Sequence, residues 1–225
     1  MSNLIYEGPT QFDGEIVTAD VVKNPVDLVK GLDRLAVDIH EENVKAGWWS
    51  SLDDPPKDLL HERNRGEMVS LCLTELQEAS EDKEFDDKLI DRAGFDVELA
   101  DFTIRLLDLI GAEQRIGGQQ PLITFHLTHG HTSVMREQDH VPVTDKIQCL
   151  PFIASPILKA FDEGFRKGKH RLARYWLTVT LMRTIAVANE WEIPLFAIMD
   201  EKRAFNRKRE DHKLENRRKA GGKKC

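Results

Sequence analysis

The sequence predicts an all-α protein, a helical bundle with a short irregular N-terminal arm and a loop-rich insertion. Three observations support that class. Apolar residues recur at the three- and four-residue spacing of a helix face in separate segments from Val26 to Met199. Two segments open on a cap residue followed by proline, Asn24-Pro25 and Ser155-Pro156, a pairing suited to a first helical turn. Residues 95–110 are apolar over much of the circumference, as a helix inside a bundle is.

Residues 1–23 hold short apolar pieces, Leu4-Ile5-Tyr6, Ile16-Val17 and Val21-Val22, broken by Gly8-Pro9 and Asp13-Gly14, and read as an arm or small hairpin. The first helix starts at Pro25, carries Val29, Leu32, Leu35, Ala36 and Ile39 on one face, and ends near Gly47. Trp48-Trp49 and an Asp53-Asp54-Pro55-Pro56 loop lead to a second helix through Met68, Val69, Cys72, Leu73, Leu76 and Ala79. The charged residues 81–91 connect it to the third helix, residues 95–110. Residues 111–151 carry glycines, prolines and four histidines without a sustained period, and are assigned to an irregular insertion. A helix follows from Ser155-Pro156, a longer one over about 170–189, and a last from Pro194 that runs into a basic tail, residues 202–225.

Composition narrows the function classes. With 225 residues, 40% hydrophobic and 32% charged, 9 Pro and 14 Gly, the chain is not disordered, collagen-like or disulfide-stapled. It is long enough for one domain with an insertion or two small ones. No run approaches the roughly 20 apolar residues of a membrane helix, and the first residues lack the basic and apolar regions of a signal peptide, so a cytoplasmic location is expected. Cys72, Cys149 and Cys225 are odd in number, widely spaced and in no CxxC, which fits reduced thiols. The net charge of −7 is uneven: from Lys202 to Lys224 eleven Lys or Arg face three acids, a net +8, leaving −15 for the remainder. Nucleic acid, a phosphorylated small molecule or the acidic remainder of the chain would each answer that asymmetry.

The second helix carries Glu75 and Glu78, and the third carries Glu98 and Asp101, each pair on one helix face. In the third helix the acids belong to a polar stripe, Glu98, Asp101, Arg105 and Asp108, within an otherwise apolar segment. If the helices pack side by side, carboxylates about 4 Å apart repel by roughly 4 kcal/mol at an effective dielectric near 20. Protons, arginines or a hard divalent cation must then neutralise them. Neither acidic helix carries histidine, so the set is oxygen-only and suits Mg2+ or Mn2+ better than a di-iron centre. Solvated acidic faces remain the common alternative for any single pair.

Glu75-Leu-Gln-Glu78, followed after 19 residues by Glu98-Leu-Ala-Asp101, resembles the paired Glu-x-x-Glu and Glu-x-x-Asp motifs of MazG-like all-α nucleoside triphosphate pyrophosphohydrolases. IHEENVKAGWW, NRGEMVSLCLTELQEASE, the DDKL at Asp86 to Leu89, and VELADFTIRLLDLIGA are similar to the MazG-like proteins often found in bacteriophage. Lys202, Asn206 and Arg209, with Gly221-Gly222-Lys223-Lys224 beyond, resemble that family's terminal helix and tail. Thr74 stands where many members carry the first of two adjacent glutamates. The resemblance implies a single MazG-like helical domain over 1–225, usually a dimer or pair of dimers, in the cytoplasm, or the host cytoplasm for a phage protein. It also implies Mg2+-dependent cleavage of a nucleoside triphosphate to monophosphate and pyrophosphate, in control of the nucleotide pool. Glu75, Glu78, Glu98 and Asp101 are then the metal ligands, with Glu75 or Glu78 acting as base through water.

Substrate contacts are expected from Lys202, Asn206 and Arg209, which share a helix face, while most of the other tail charges are expected to be solvated. Trp49 is a candidate for stacking on a base, with Trp48 kept as a core anchor. Asn64 is a candidate for a base edge, with helix capping the stronger role. His126, His129 and His131 have a spacing that suits Zn2+ with His140 or Cys149, though surface histidines are the better expectation. Cys72 reads as a small core residue. Other functions consistent with the sequence are a dUTP- or dCTP-specific pyrophosphatase of the same superfamily and a nucleic-acid-binding helical adaptor, the latter without any zinc-finger, RRM or KH signature.

Overall fold

The computed structural model describes residues 10–12, 15–17, 25–128 and 145–219. Its architecture is an all-α bundle, and none of its described helices is long and apolar enough to cross a membrane. Two short strands precede the helices, β1 (Thr10–Phe12) and β2 (Glu15–Val17), paired antiparallel with Thr10 opposite Val17, so the arm contains a hairpin.

The bundle is built around α3 (Gly94–Ile116), which packs against α1 (Pro25–Lys45), α2 (Arg65–Ala79) and α7 (Leu195–Lys208). Its apolar circumference is the cause. Val97, Leu99, Phe102, Leu106, Leu107, Leu109 and Ile110 are all fully buried, so side chains on every face find a neighbour. The α1 stripe Leu32, Leu35, Ala36 and Ile39 meets α3 at Gly111, where a Cβ would lie 2.2 Å from the Ala36 carbonyl oxygen. Gly111 therefore admits close helix packing and does not end the helix.

This corrects the expected end of α3 at Ile110 and part of the insertion assigned to 111–151. The helix runs on to Ile116, and α4 (Leu122–Thr128) follows. Asp33 of α1 holds the start of α4, accepting the backbone N–H groups of Ile123 and Thr124, both at 2.8 Å. A cap supplied from 90 residues away leaves no local start signal.

The next described helix, α5 (Cys149–Lys159), begins six residues before the expected start at Ser155, after a short 3-10 turn at Lys146–Gln148. Pro156 lies inside it and removes the hydrogen bond to the Phe152 carbonyl. Arg183 fills that gap, donating from Nη1 to the Phe152 oxygen at 2.9 Å. A wide π turn at Ala160–Gly164 and the left-handed Gly168 lead into α6 (His170–Glu190).

Beyond α7 a 3-10 turn at Glu210–His212 and the short α8 (Leu214–Arg217) fold back onto the end of α1. Gly47 has φ +81° and sits against Leu214, while Arg217, 1% exposed, stacks 3.7 Å from the Trp48 ring centre and donates to the Gly47 carbonyl. Arg203 and Arg207 both pair with Glu42. Burial alone would raise the Glu42 pKa, but the two guanidiniums hold it below its ordinary value. The expectation that most tail charges are solvated is thus corrected for Arg203 and Arg207, which pair with Glu42, and for Arg217, which is buried against Gly47 and Trp48.

Candidate metal and phosphate site

The stripe that looked misplaced on α3 turns toward α2 and α7. Glu75 on α2 and Glu98 and Asp101 on α3 each bring a carboxylate oxygen within 4.8 Å of the others. Glu75 is 5% exposed and Glu98 8%. Helix spacing explains their convergence: Glu98 and Asp101 are one turn apart, and the α2 face carrying Met68, Cys72, Glu75 and Ala79 packs on α3. Glu78 does not join the three. It is exposed and lines the cavity beside them, which corrects the expectation of four acids on one centre.

Three neutralising devices are present together. Arg105 donates from Nε to Glu75 at 2.5 Å. The Lys202 ammonium, 1% exposed, lies 2.7 Å from Asp101 Oδ2. The third is a proton: burial, the neighbouring Asp101 charge and a hydrogen bond to Glu75 push the Glu98 carboxyl up to about 8. Burial also raises Glu75, with Arg105 opposing and Asp101 adding to the rise.

The donor set fits a hard divalent cation. Its ligands are carboxylate oxygens without nitrogen or sulfur, and Glu98 Oε2 is buried with no hydrogen-bond partner. Oxygens around one octahedral Mg2+ are about 3.0 Å apart when cis and about 4.2 Å when trans, so a set spanning up to 4.8 Å has to close in around an ion.

Glu75 and Asp101 open into a cavity of about 240 Å³ whose lining also includes Glu78, Lys202, Asn206 and Arg209, while Glu98 does not line it. Three of the four expected acids and the expected phosphate contacts therefore share one cavity, although Arg209 stands in extended backbone just past α7 and not on the helix face expected for it. Of the two candidates for reading a base, Trp49 is taken up elsewhere and Asn64 has the capping role expected as the stronger one. Trp49 touches the cavity but is 1% exposed, with its Nε1 donating to both oxygens of Asp108 at 2.9 and 3.1 Å and His40 edge-on against it. Trp48, expected to be the core anchor, is only partly buried and lines this cavity and a second one. Asn64 lines neither; its Oδ1 accepts from the N–H groups of Gly66 and Glu67, making it the cap of α2.

Sequence reasoning named Arg105 and Asp108 only as parts of a stripe and assigned no role to His40, Asn43, Arg63 or Lys88. For Arg105 and Asp108 the signal was present, because a buried polar stripe needs partners. Asn43, Arg63 and Lys88 lie on elements whose approach to the cavity no local pattern encodes.

The zinc alternative fares differently. His129, His131 and His140 lie outside the described residues. His126 is buried beside Phe125 and Tyr175, which corrects its expected surface position. Cys149 is buried and accepts from Trp191 Nε1 at 3.4 Å. Cys72 is enclosed in the core, where burial pushes its thiol up to about 12, far from a nucleophile.

No protein-family model, curated protein or solved structure matches this chain.

Proposed function

We propose that the chain is a nucleoside triphosphate pyrophosphohydrolase of MazG-like type, dependent on Mg2+ or Mn2+, that converts a (d)NTP to the (d)NMP and pyrophosphate. One observation carries this reading: of a three-carboxylate, oxygen-only cluster on α2 and α3, Glu75 and Asp101 line one cavity together with Lys202 and Asn206 of α7 and Arg209 at its C-cap. A triphosphate is repelled by bare carboxylates, so an acidic cluster opposite cations suits a polyanion that arrives with metal.

Glu75, Glu98 and Asp101 would hold the cation. The chemistry such a cation would supply there is neutralisation of charge between the acids and the phosphates and a more acidic water. Attack of a water oxygen on the α phosphorus breaks the bond to the α–β bridging oxygen, and pyrophosphate leaves. Lys202 and Arg209 offset the charge of the phosphates, and Asn206, whose Oδ1 is buried without a hydrogen-bond partner, offers an acceptor at the cavity wall. Glu78, exposed and lining the cavity, would take the proton from the water. Ion pairing of the basic tail with the body argues against the nucleic-acid adaptor, because Arg203 and Arg207 are already engaged by Glu42.

The test is turnover of each canonical ribo- and deoxyribonucleoside triphosphate with Mg2+, scoring pyrophosphate against orthophosphate. Equal yields of monophosphate and pyrophosphate, abolished by EDTA, are expected, and the relative rates separate a broad enzyme from a dUTP- or dCTP-specific one. Orthophosphate release, or salt-sensitive binding of DNA or RNA with no turnover, contradicts the assignment.

A further inference from the structure

Lys88 differs from three of the other cations of the cavity. Arg105 is committed to Glu75, Lys202 to Asp101, and Arg63 to Glu67 and the Trp48 carbonyl. Lys88 lines the same cavity, is exposed, and makes no ion pair among the described residues. Its backbone is nevertheless fixed. Asp86 is buried, its Oδ1 accepts the N–H groups of Lys88 at 2.8 Å and Leu89 at 2.6 Å, and its own N–H donates to the Arg92 carbonyl at 2.9 Å. Leu89 packs on the core. The turn is thus anchored on both sides of Lys88, with the ammonium left to the cavity. Lys202 is near enough for its charge to act on Asp86, so this turn lies beside the acidic cluster.

The cavity has a direction. Asn43, Trp48, Ile104, Asn206, Arg209 and His212 line both it and a second cavity of about 580 Å³, and so mark the junction between them. Lys88, Glu75, Glu78, Asp101 and Lys202 line the first alone. The roomier compartment, with the partly buried Trp48 ring on its wall, suits a nucleoside. With the nucleoside there and the α and β phosphates at the carboxylates, the third phosphate also falls in the first cavity, whose lining includes Lys88.

We infer that Lys88, positioned by the Asp86 turn, binds the terminal phosphate of the substrate and sets the preference for triphosphates over diphosphates. The inference rests on the pyrophosphohydrolase reading. It is tested with Lys88→Met in the full chain, measuring kinetics and, by calorimetry, the binding of triphosphate and diphosphate analogues with a methylene bridge between the α and β phosphorus atoms. Loss of one charge-assisted contact should raise KM for triphosphate, and weaken its analogue, by about tenfold to a hundredfold. Diphosphate-analogue binding should stay unchanged, and Lys88→Arg should keep most of the wild-type preference.

Asp86→Ala should narrow the triphosphate preference in the same way, through KM, and add nothing to Lys88→Met in the double variant. Equal loss for both analogues, or no loss, overturns the inference while the proposed function stands. A wild type that neither turns over triphosphate nor binds its analogue overturns both.

Discussion

Replacing Glu98 by glutamine is expected to abolish triphosphate cleavage and, in metal-free buffer above about pH 7, to raise the stability of the fold. Under the proposed function, the loss of activity would follow from removing one ligand of a cation worth several kcal/mol to the transition state, on the order of a thousandfold in rate. The gain in stability follows from the proton. Glu98 is raised from 4.5 to about 8 by burial first, then by Asp101 and Glu75, with Lys202 opposing. A carboxyl whose folded pKa lies above its unfolded value keeps its proton in the folded chain after the unfolded chain has lost it. Stability is therefore complete below pH 4.5 and falls as pH rises through the window up to about 8. Glutamine has the shape of the protonated acid and nothing to ionise, so most of that slope disappears. Urea denaturation in EDTA at successive pH values reads it directly. A Glu98→Gln protein with the wild-type slope would show that the cluster is solvated and uncoupled.

Lys202→Met should have the opposite effect. The ammonium is almost completely buried and lies 2.7 Å from Asp101, in a cluster that already holds Glu75 and Glu98. Removing one member of a buried ion pair leaves the other charge uncompensated, at a cost of about 3 kcal/mol. The methionine stem fills similar space, so the loss reports charge more than packing. Excess Mg2+ should recover part of the lost stability, because a bound cation takes over the neutralisation of Asp101. Under the proposed function, activity should not return with it, since the Lys202 charge that would offset the phosphates is gone. Equal stability of Lys202→Met and wild type in EDTA would contradict this view of the ion pair.

The residues show why some of the molecule was legible in sequence and some was not. Helical period and the apolar circumference of α3 depend on neighbours in the chain, and both led to the bundle. The acidic stripe pointed to the site for the same reason: polar groups at fixed helical spacing inside an apolar segment need a shared partner. What failed was information carried by distant contacts. Gly111 looks like a breaker unless Ala36 is known to lie against it, and Pro156 unless Arg183 is known to reach the Phe152 carbonyl. Adjacent tryptophans give no hint which ring is buried; Asp108, from α3, decides it by accepting the Trp49 N–H. The tail looked like a free polycation because its partner, Glu42, lies more than 150 residues away.

The most direct test of the central claim is Mn2+ binding followed by electron paramagnetic resonance, comparing wild type with the triple variant Glu75→Gln, Glu98→Gln, Asp101→Asn. If the three carboxylates form one hard-cation centre, wild type binds Mn2+ with displacement by Mg2+ and release of protons, while the triple variant, still helical by circular dichroism, does not bind it. Equal Mn2+ binding by the two proteins, or none by wild type even with a triphosphate analogue present, would contradict it.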